Sequence, residues 1–181
     1  MLDIVVRLTP EMWDSKKEEF IPPVTRTLRL EHSLVSLRKW ESKWCKPFLS
    51  KKDKTDEETL DYIKCMTITQ NVDPDVYLHL SDENLKQIEE YIYAPMTATT
   101  FADNRRKKAN NDIITAELIY SWMINLHIPP EYQKWHLNSL LTLIRVLVAE
   151  NSPPEKRSQE ELAMDYAELN AARRKKYNSK G

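Results

Sequence analysis

The chain has 181 residues, of which 41% are hydrophobic and 30% charged, and its formal net charge is -1. A chain of this length forms one ordinary domain with room for an appendage, and this composition is typical of a globular protein rather than a disordered or membrane-inserted one. The single glycine is Gly181, so phosphate-binding loops, dinucleotide fingerprints and G-x-S-x-G nucleophile elbows are excluded.

The chain also lacks the sequence features of a membrane or exported protein. No apolar run approaches the roughly 20 residues that span a bilayer, and the N-terminal residues lack the basic flank and cleavage site of a signal peptide. We therefore expect an intracellular protein with no membrane partner. Cys45 and Cys65 lie in different segments without metal-type spacing, which favours reduced, buried thiols.

The first predicted element is a loose β-hairpin over residues 2–32. Residues 2–8 are β-branched and apolar, and residues 24–32 alternate between two faces, as a half-buried strand does. The stretch between them, residues 9–23, is too long and too charged for a tight turn and ends in two prolines, which cannot continue a ladder. We therefore expect a charged connection rather than a regular turn.

Several short helices are predicted after the hairpin. Apolar residues recur there at helical spacing, and each run follows a residue that caps helices well. Thr55 and Glu58 also match a capping box, in which two side chains satisfy each other's backbone N–H groups. The predicted segments are 34–45 after Ser33, a helix after Thr55, a brief turn at 74–80 after Asp73, and a helix between Ser81 and Pro95.

A pair of helices is predicted to form the core. Residues 95–111 have no apolar period and are expected to be a long loop, after which Asp112 caps a helix over 113–127 that is apolar around most of its circumference. Two prolines then break the chain, and a second apolar helix is expected over 130–150. The short connection makes the two helices an antiparallel pair.

The apolar surface of this pair is also the predicted partner-binding site. Its tryptophans and leucines fit both a core and an interface, and part of the surface is expected to stay uncovered for a partner helix. Homo-oligomerisation would cover that surface until the partner arrives. The candidate residues are Trp122, Trp135, Leu140, Leu141 and Ile144.

Two polar side chains of the second helix raise the question of catalysis. His136 has the chemistry of a general base, but a histidine also suits a helix end or a buried hydrogen bond. Arg145 lies at the edge of the apolar stripe and is expected to pair with an acid such as Glu117. We expect structural roles, because only a solvent-open cluster of the three would favour an enzyme.

No metal site and no cofactor are predicted. The four histidines have neither the i, i+4 spacing of zinc-binding helices nor a Cys-x-x-Cys pair near them. Runs of carboxylates lie at predicted helix starts, where capping and the helix dipole explain them.

The predicted domain organisation is a single domain over residues 1–151 and a C-terminal segment over 152–181. The segment begins with a capping-box pattern and continues as a thinly amphipathic helix over 159–176 with a disordered basic tail. Basic clusters lie in the loop and in this tail, where they either bind an acidic surface or are simply solvated. The basic residues are Arg105, Arg106, Lys107, Lys108, Arg173, Arg174, Lys175 and Lys176.

Three strings of the sequence resemble those of small proteins encoded in the tail modules of tailed bacteriophages and described as tail assembly chaperones. The strings are LEHSLVSLRKWESKWCKPFL, ELIYSWMINLHIPPEYQKWHLNSLLTLIRV and ELNAARRKK. The resemblance implies a non-enzymatic protein that binds the helical tape-measure protein in the host cell cytoplasm, keeps it soluble and brings tail-tube subunits to it. In such families a longer product of the same gene often arises by ribosomal frameshifting.

The patterns together predict a mainly α fold, a helical domain of about five to six helices with an N-terminal β-hairpin. The resemblance predicts a phage tail assembly chaperone or adaptor. The alternative is a nucleic-acid-binding accessory phage protein that uses the basic loop 105–108 and the basic tail 173–176. A net charge of -1 supplies no global attraction to nucleic acid, which disfavours that alternative.

Overall fold

The computed structural model describes residues 1–16, 18–50, 53–101 and 113–151, and in the C-terminal segment residues 164, 166–167, 169–171 and 173–174. The predicted helix-dominated fold with an N-terminal β-hairpin is confirmed in outline. No helix among these residues is long and apolar enough to cross a bilayer. The strands are β1 (Leu2–Arg7), β2 (Met12–Asp14), β3 (Glu19–Ile21) and β4 (Thr25–Leu30). The α-helices are α1 (Leu34–Trp44), α2 (Asp56–Met66), α3 (Asp82–Tyr93), α4 (Ala116–Asn125) and α5 (Leu137–Asn151), with two 3-10 helices at Pro74–His79 and Pro130–Lys134.

The predicted pairing of the first and last strands of the hairpin is confirmed. β1 and β4 are antiparallel, with Ile4 opposite Leu28 and Leu2 opposite Leu30. Because side chains alternate across a strand, Ile4, Val6, Leu28 and Leu30 all point to one face, where they are fully buried. This apolar face is what anchors the hairpin to the helices.

Both edges of the β1–β4 sheet are covered by other parts of the chain. The residues after α2 run along β4, where the Ile68 N–H donates to the Arg29 carbonyl at 2.8 Å and the Glu31 N–H donates to the Met66 carbonyl at 2.9 Å. On the other side, the amide of Asn84 in α3 donates to the Val5 carbonyl of β1. Along residues 29–31 the β4 edge is therefore already paired and cannot take up a strand of another chain.

Residues 12–21, expected to be part of a charged connection, contain a second pair of strands. β2 and β3 are antiparallel, with Met12 opposite Ile21 and Trp13 opposite Phe20. We call these two strands the arm. All four of these apolar side chains are exposed, between 44% and 65% of their surface, and the composition of the whole connection hid them because charged residues surround them.

The core takes residues from α1 as well as from the predicted helix pair. α1 packs against α2, α4 and the second 3-10 helix, whereas the described residues of α4 and α5 make little direct contact with each other. Trp40 of α1 is almost fully buried, and its indole N–H donates to the Glu58 carbonyl of α2 at 2.8 Å. The segments 113–127 and 130–150, predicted to form the core, do supply Ile119, Met123, Leu137 and Leu140 to it, but the expected contact between the two helices is minor.

The first helix of the predicted pair is shorter and less buried than expected. Its cap is Thr115, not Asp112, and Ile113 lies outside the helix and is exposed. The buried carboxylate of Glu41 in α1 fixes this start, because it accepts the N–H of Ala116 at 2.7 Å and that of Phe48 at 2.8 Å. Only one face of α4 is buried, so the predicted burial on several sides is also wrong.

The end of α4 is a Schellman motif. His127 has a left-handed backbone with φ of 54°. The N–H of Ile128 donates to the Met123 carbonyl at 2.8 Å, which closes the six-residue turn of this motif. Ile128 is buried, as the hydrophobic contact of this motif requires. The helix therefore stops before the two prolines that were expected to end it.

The second predicted helix is divided in two. A 3-10 helix at Pro130–Lys134 comes first, Trp135 is extended, and α5 begins only at Leu137. The break occurs because His136 forms a β-bridge with Ser33, and the Leu137 N–H donates to the His32 carbonyl at 2.8 Å. A tertiary contact at the start of α1 thus sets where α5 begins.

Four of the predicted helix starts agree with the structure. Ser33, Thr55 and Ser81 each cap an α-helix through a side-chain oxygen, and Asp73 caps the first 3-10 helix. The predicted Thr55–Glu58 capping box is present. These starts were predictable because a cap acts on backbone groups within its own turn.

Five described residues other than glycine have left-handed backbone conformations. A side chain at such a position clashes with its own backbone, which costs roughly 1–2 kcal/mol for most residues. The five residues are Glu18, Cys45, Asn71, Met96 and His127. Cys45 ends α1 in this conformation and is exposed, so the expectation that both thiols are buried was wrong for Cys45, while Cys65 is partly buried.

The chain falls into two compact units, Met1–Leu147 and Val148–Gly181. The described residues of the second unit beyond Asn151 are helical and exposed, among them Met164, Tyr166 and Leu169. The predicted capping box at Ser158 and Glu161 lies outside the described residues.

Candidate functional site

A layer of four ring side chains lies inside the first unit. His32, which follows β4, is 2.6 Å from the hydroxyl of Tyr62 through its Nδ1, and its ring is in edge contact with the ring of His136, with centroids 5.1 Å apart. His136 in turn contacts the ring of Tyr91 at 4.9 Å. We call Tyr62, His32, His136 and Tyr91 the ring layer.

Both ring nitrogens of His136 are engaged inside the protein. Nε2 lies 3.1 Å from the Tyr91 carbonyl, which can only accept, so Nε2 carries the proton. Nδ1 accepts the N–H of Asn138 at 3.3 Å. This arrangement holds His136 as one neutral tautomer and matches the expected structural role more closely than that of a free general base.

Burial keeps both histidines of the ring layer neutral. Loss of hydration, and secondarily the neighbouring His136, lowers the pKa of His32 to about 3. Burial also lowers the pKa of His136, although its hydrogen bond to Tyr91 and the nearby Glu31 carboxylate oppose that shift. Charging either ring would place a cation in an apolar interior.

The ring layer connects to the surface through Glu31. The Tyr91 hydroxyl donates to one carboxylate oxygen of Glu31 at 2.6 Å, and the Met1 amino group pairs with the other at 3.1 Å. Burial, together with the Glu31 hydrogen bond and charge, raises the pKa of the Tyr91 hydroxyl. Every charged group in this chain of contacts therefore has a partner.

One groove of the first unit lies between α2 and α3, on the His32 side of the ring layer. We call it the first groove; its volume is about 780 Å³. Its apolar lining includes Phe48, which stacks on Tyr62 with ring centroids 3.8 Å apart. The opposite wall is one face of α3, with residues at helical spacing. That face consists of Asp82, Leu85, Lys86, Glu89, Ile92 and Tyr93.

Charged groups of both signs line the first groove. Its carboxylates are Asp53, Asp82 and Glu89, and its lysines are Lys54 and Lys86. Burial lowers the pKa of Lys54, whose ammonium lies 4.5 Å from the centre of the Phe48 ring. An apolar floor between charged rims is the usual form of a groove that receives an amphipathic helix.

A second groove lies on the His136 side of the ring layer. We call it the second groove; its volume is about 660 Å³. One wall is a face of α5, and Trp135 stands at its start with 47% of its surface exposed. The other wall includes Met96, which is also exposed. The α5 residues of the lining are Ser139, Thr142, Leu143 and Val146, which recur at helical spacing.

The structure separates the five predicted partner-binding residues. Leu140 and Ile144 are buried in the core, so they present no surface to a partner. Trp122 and Leu141 are half-buried against that core. Trp135 alone among the five lines a groove in the described structure.

The expected ion pair between Arg145 and Glu117 is not among the described ion pairs. Arg145 and Glu117 are both exposed. His136 is buried in the ring layer. His136 therefore lies apart from the exposed Arg145 and Glu117 in burial.

The predicted basic patch falls largely outside what the structure describes. Residues 105–108 and 175–176 lie beyond the described ranges, while Arg173 and Arg174 are exposed on a helix. The described residues contain no group of three or more metal-ligating side chains.

Sequence reasoning missed the first groove and the arm. The groove joins His32, residues 48–50 and 53–54, α2, α3 and Asn138, which are separated by up to 106 positions, so no local pattern predicts it. Helical spacing predicted α3 itself, the helix that supplies one wall, but not the groove. The arm could have been found from the apolar pairs Met12–Trp13 and Phe20–Ile21.

Comparison of the chain with protein-family models, with curated proteins and with solved structures found no match in any of the three. What the protein does is therefore inferred from its grooves and from the resemblance of its sequence.

Proposed function

We propose that the protein is a non-enzymatic tail assembly chaperone or adaptor of a tailed bacteriophage, which binds a helical segment of the tape-measure protein in the first groove. It acts in the host cell cytoplasm, where it keeps that segment soluble and brings tail-tube subunits to it.

The observation that supports this proposal most is the α3 wall of the first groove. Leu85 and Tyr93, which lie two turns apart on one face of α3, are both exposed, Tyr93 over 75% of its surface. A large exposed aromatic beside a deep groove is a frequent feature of protein-binding surfaces. Helix packing needs ridges that recur every three or four residues, and this wall has them.

The charges that line the first groove determine which charges a bound segment should carry. The lining has three carboxylates and two lysines, so an amphipathic helix with mixed charges and a slight excess of basic groups suits it. A tape-measure protein is long and helical, so it offers many such segments. The nucleic-acid alternative has less support, because the lining of the groove is not basic.

Co-expression with the tape-measure protein of the same tail module tests the proposal. Alone, that protein is expected to be largely insoluble; with the wild-type chain it should become soluble and co-purify. The double variant Leu85→Ala, Tyr93→Ala should reduce co-purification roughly tenfold or more, because aromatic anchors of an interface often carry above 1.4 kcal/mol.

The matched control is the double variant Leu78→Ala, Ile124→Ala. Both side chains are exposed as fully as Tyr93, over 71% and 73% of their surface, but neither lines a groove in the described structure. Equal co-purification of the two double variants would refute the assignment of the first groove. If the wild-type chain leaves the solubility of the tape-measure protein unchanged, the chaperone function itself is wrong.

A further inference from the structure

Each face of the arm carries an exposed apolar pair, and the face of the Met12–Ile21 pair also carries Asp14 opposite Glu19. In a two-stranded ribbon, adjacent residues point to opposite sides and cross-strand partners share a side. The Met12–Ile21 pair therefore lies on one face and the Trp13–Phe20 pair on the other, and the edge contact of the Trp13 and Phe20 rings, with centroids 4.8 Å apart, confirms that those two share a face.

A ribbon with an apolar pair on each face cannot bury both pairs on a flat surface, because one face would remain in water. Both pairs are buried only when the ribbon enters a groove. Among the described residues the arm enters none, since Met12, Trp13, Phe20 and Ile21 are all exposed. A groove that buries both pairs therefore belongs to another molecule.

The second groove has the matching properties. Its exposed apolar lining includes Trp135, Met96 and Met1, and its volume of about 660 Å³ is in the range that accommodates large side chains. Nothing in the described chain fills it. An aromatic pair entering beside Trp135 would bury apolar surface on both partners.

The charge of the arm favours binding in the second groove over binding in the first groove. Between Glu11 and Ile21 the sequence holds four acids and two lysines, so the arm is acidic. In the second groove, Glu31 and the Met1 amino group neutralise each other, which leaves Lys134 as the unpaired charge of the described lining. The lining of the first groove has more carboxylates than lysines, so it would repel the arm.

We propose that two copies of the chain associate reciprocally, with the arm of each lying in the second groove of the other. The contact is made twice in one dimer, and it leaves both first grooves free. The self-association therefore does not depend on the proposed tail function, and each can fail without the other.

Measurement of the molar mass in solution over a range of concentrations tests the dimer, by sedimentation equilibrium or light scattering after size exclusion. The wild type should change from monomer to dimer as concentration rises. The arm variant Trp13→Ala, Phe20→Ala and the groove variant Lys134→Glu, Trp135→Ala should each raise the dimer dissociation constant by about 30-fold or more. Ile124→Ala, on an exposed position outside both grooves, should leave it unchanged.

Mixing the two variants distinguishes reciprocal exchange from other pairings. The arm variant keeps an intact groove and the groove variant keeps an intact arm, so together they should form a 1:1 heterodimer through one remaining contact, detected by titration calorimetry. Neither variant alone should associate in that range. Circular dichroism of each variant checks that it folds, and Lys134→Glu alone, a change at an exposed residue, should still weaken the dimer.

Three results would overturn the proposal. A wild-type chain that stays monomeric up to several hundred micromolar has no such dimer. A groove variant that dimerises as tightly as the wild type places the contact elsewhere, for example between two arms. A mixture of the variants that forms no heterodimer excludes the arm-to-groove contact.

Discussion

At the scale of single residues, the two buried histidines of the ring layer make the stability of the protein depend on pH. His32 and His136 touch each other and are neutral in the folded protein, whereas both become exposed on unfolding. An exposed histidine has a pKa of about 6.5, so below that value the unfolded chain binds protons that the folded chain does not. The contribution of these neutral histidines to the free energy of unfolding is therefore fully present above about pH 6.5. For His32 it is lost as the pH decreases toward the folded pKa of about 3.

The variant His32→Asn should flatten this dependence. Between pH 6 and 4.5 the buried, neutral His32 should lower the free energy of unfolding of the wild type by up to about 1.4 kcal/mol per pH unit as the pH falls. Removing His32 should remove one such contribution from the slope, measured by urea denaturation at several pH values. The matched control, His79→Asn, removes an exposed imidazole. A slope that is equal in wild type and His32→Asn contradicts the assignment.

The sequence indicated the kind of role that His136 has but not its partners. Histidine at the start of an apolar helix suggested a buried hydrogen bond, and the structure has two. The Tyr91 carbonyl lies 45 positions away, and because every residue has a backbone carbonyl, no sequence pattern identifies this one. The same is true of His32, whose contact with Tyr62 joins two elements with no shared pattern.

At the scale of elements, helix starts were predictable where a cap acts alone and not where another element decides. Thr115 and Asp112 are both good cap residues three positions apart, and nothing local chooses between them. The choice is made by Glu41, whose buried carboxylate accepts the first N–H of α4. The late start of α5 has a similar cause in the bridge between His136 and Ser33.

The variant Thr115→Ala should lower the free energy of unfolding by about 1 kcal/mol, because the Thr115 hydroxyl accepts the N–H of Leu118 and alanine leaves that group unpaired. Thr115→Ser keeps the hydroxyl and should retain most of the stability. Both are measured by urea denaturation. If the serine variant loses as much as the alanine variant, the methyl group rather than the cap explains the effect.

At the scale of the whole molecule, apolar content located the core only approximately. Residues 113–150 are the most apolar part of the chain, yet the core also takes Leu34, Leu37 and Trp40 from α1, which has more charged residues and contacts three other elements. Which segments meet depends on long-range pairings such as that of β4 with residues 66–69, and these are not encoded in any one window of sequence. The grooves, which lie between elements, were hidden for the same reason.

Hydrogen exchange should reveal this organisation directly. Buried amides of α1 should exchange only through global unfolding, whereas the amides of the arm should exchange more than about a thousandfold faster in dilute, monomeric protein. At concentrations that populate the dimer, protection of the arm should rise while that of α1 stays constant. Exchange of the arm that is slow and independent of concentration would show that the arm packs within its own chain.

The five left-handed residues affect the free energy of both the native and the denatured state, because none of them is a glycine. Each of the five, Cys45 and His127 among them, holds a strained conformation that a glycine would adopt freely, so the native state is raised in energy at these turns. The same side chains restrict the denatured ensemble, whose entropy is lower by an amount typically worth 0.4–1 kcal/mol per position. The native state of this chain is therefore strained at these turns, but the chain loses less entropy when it folds. Its refolding begins from fewer conformations than that of a glycine-rich chain of equal length.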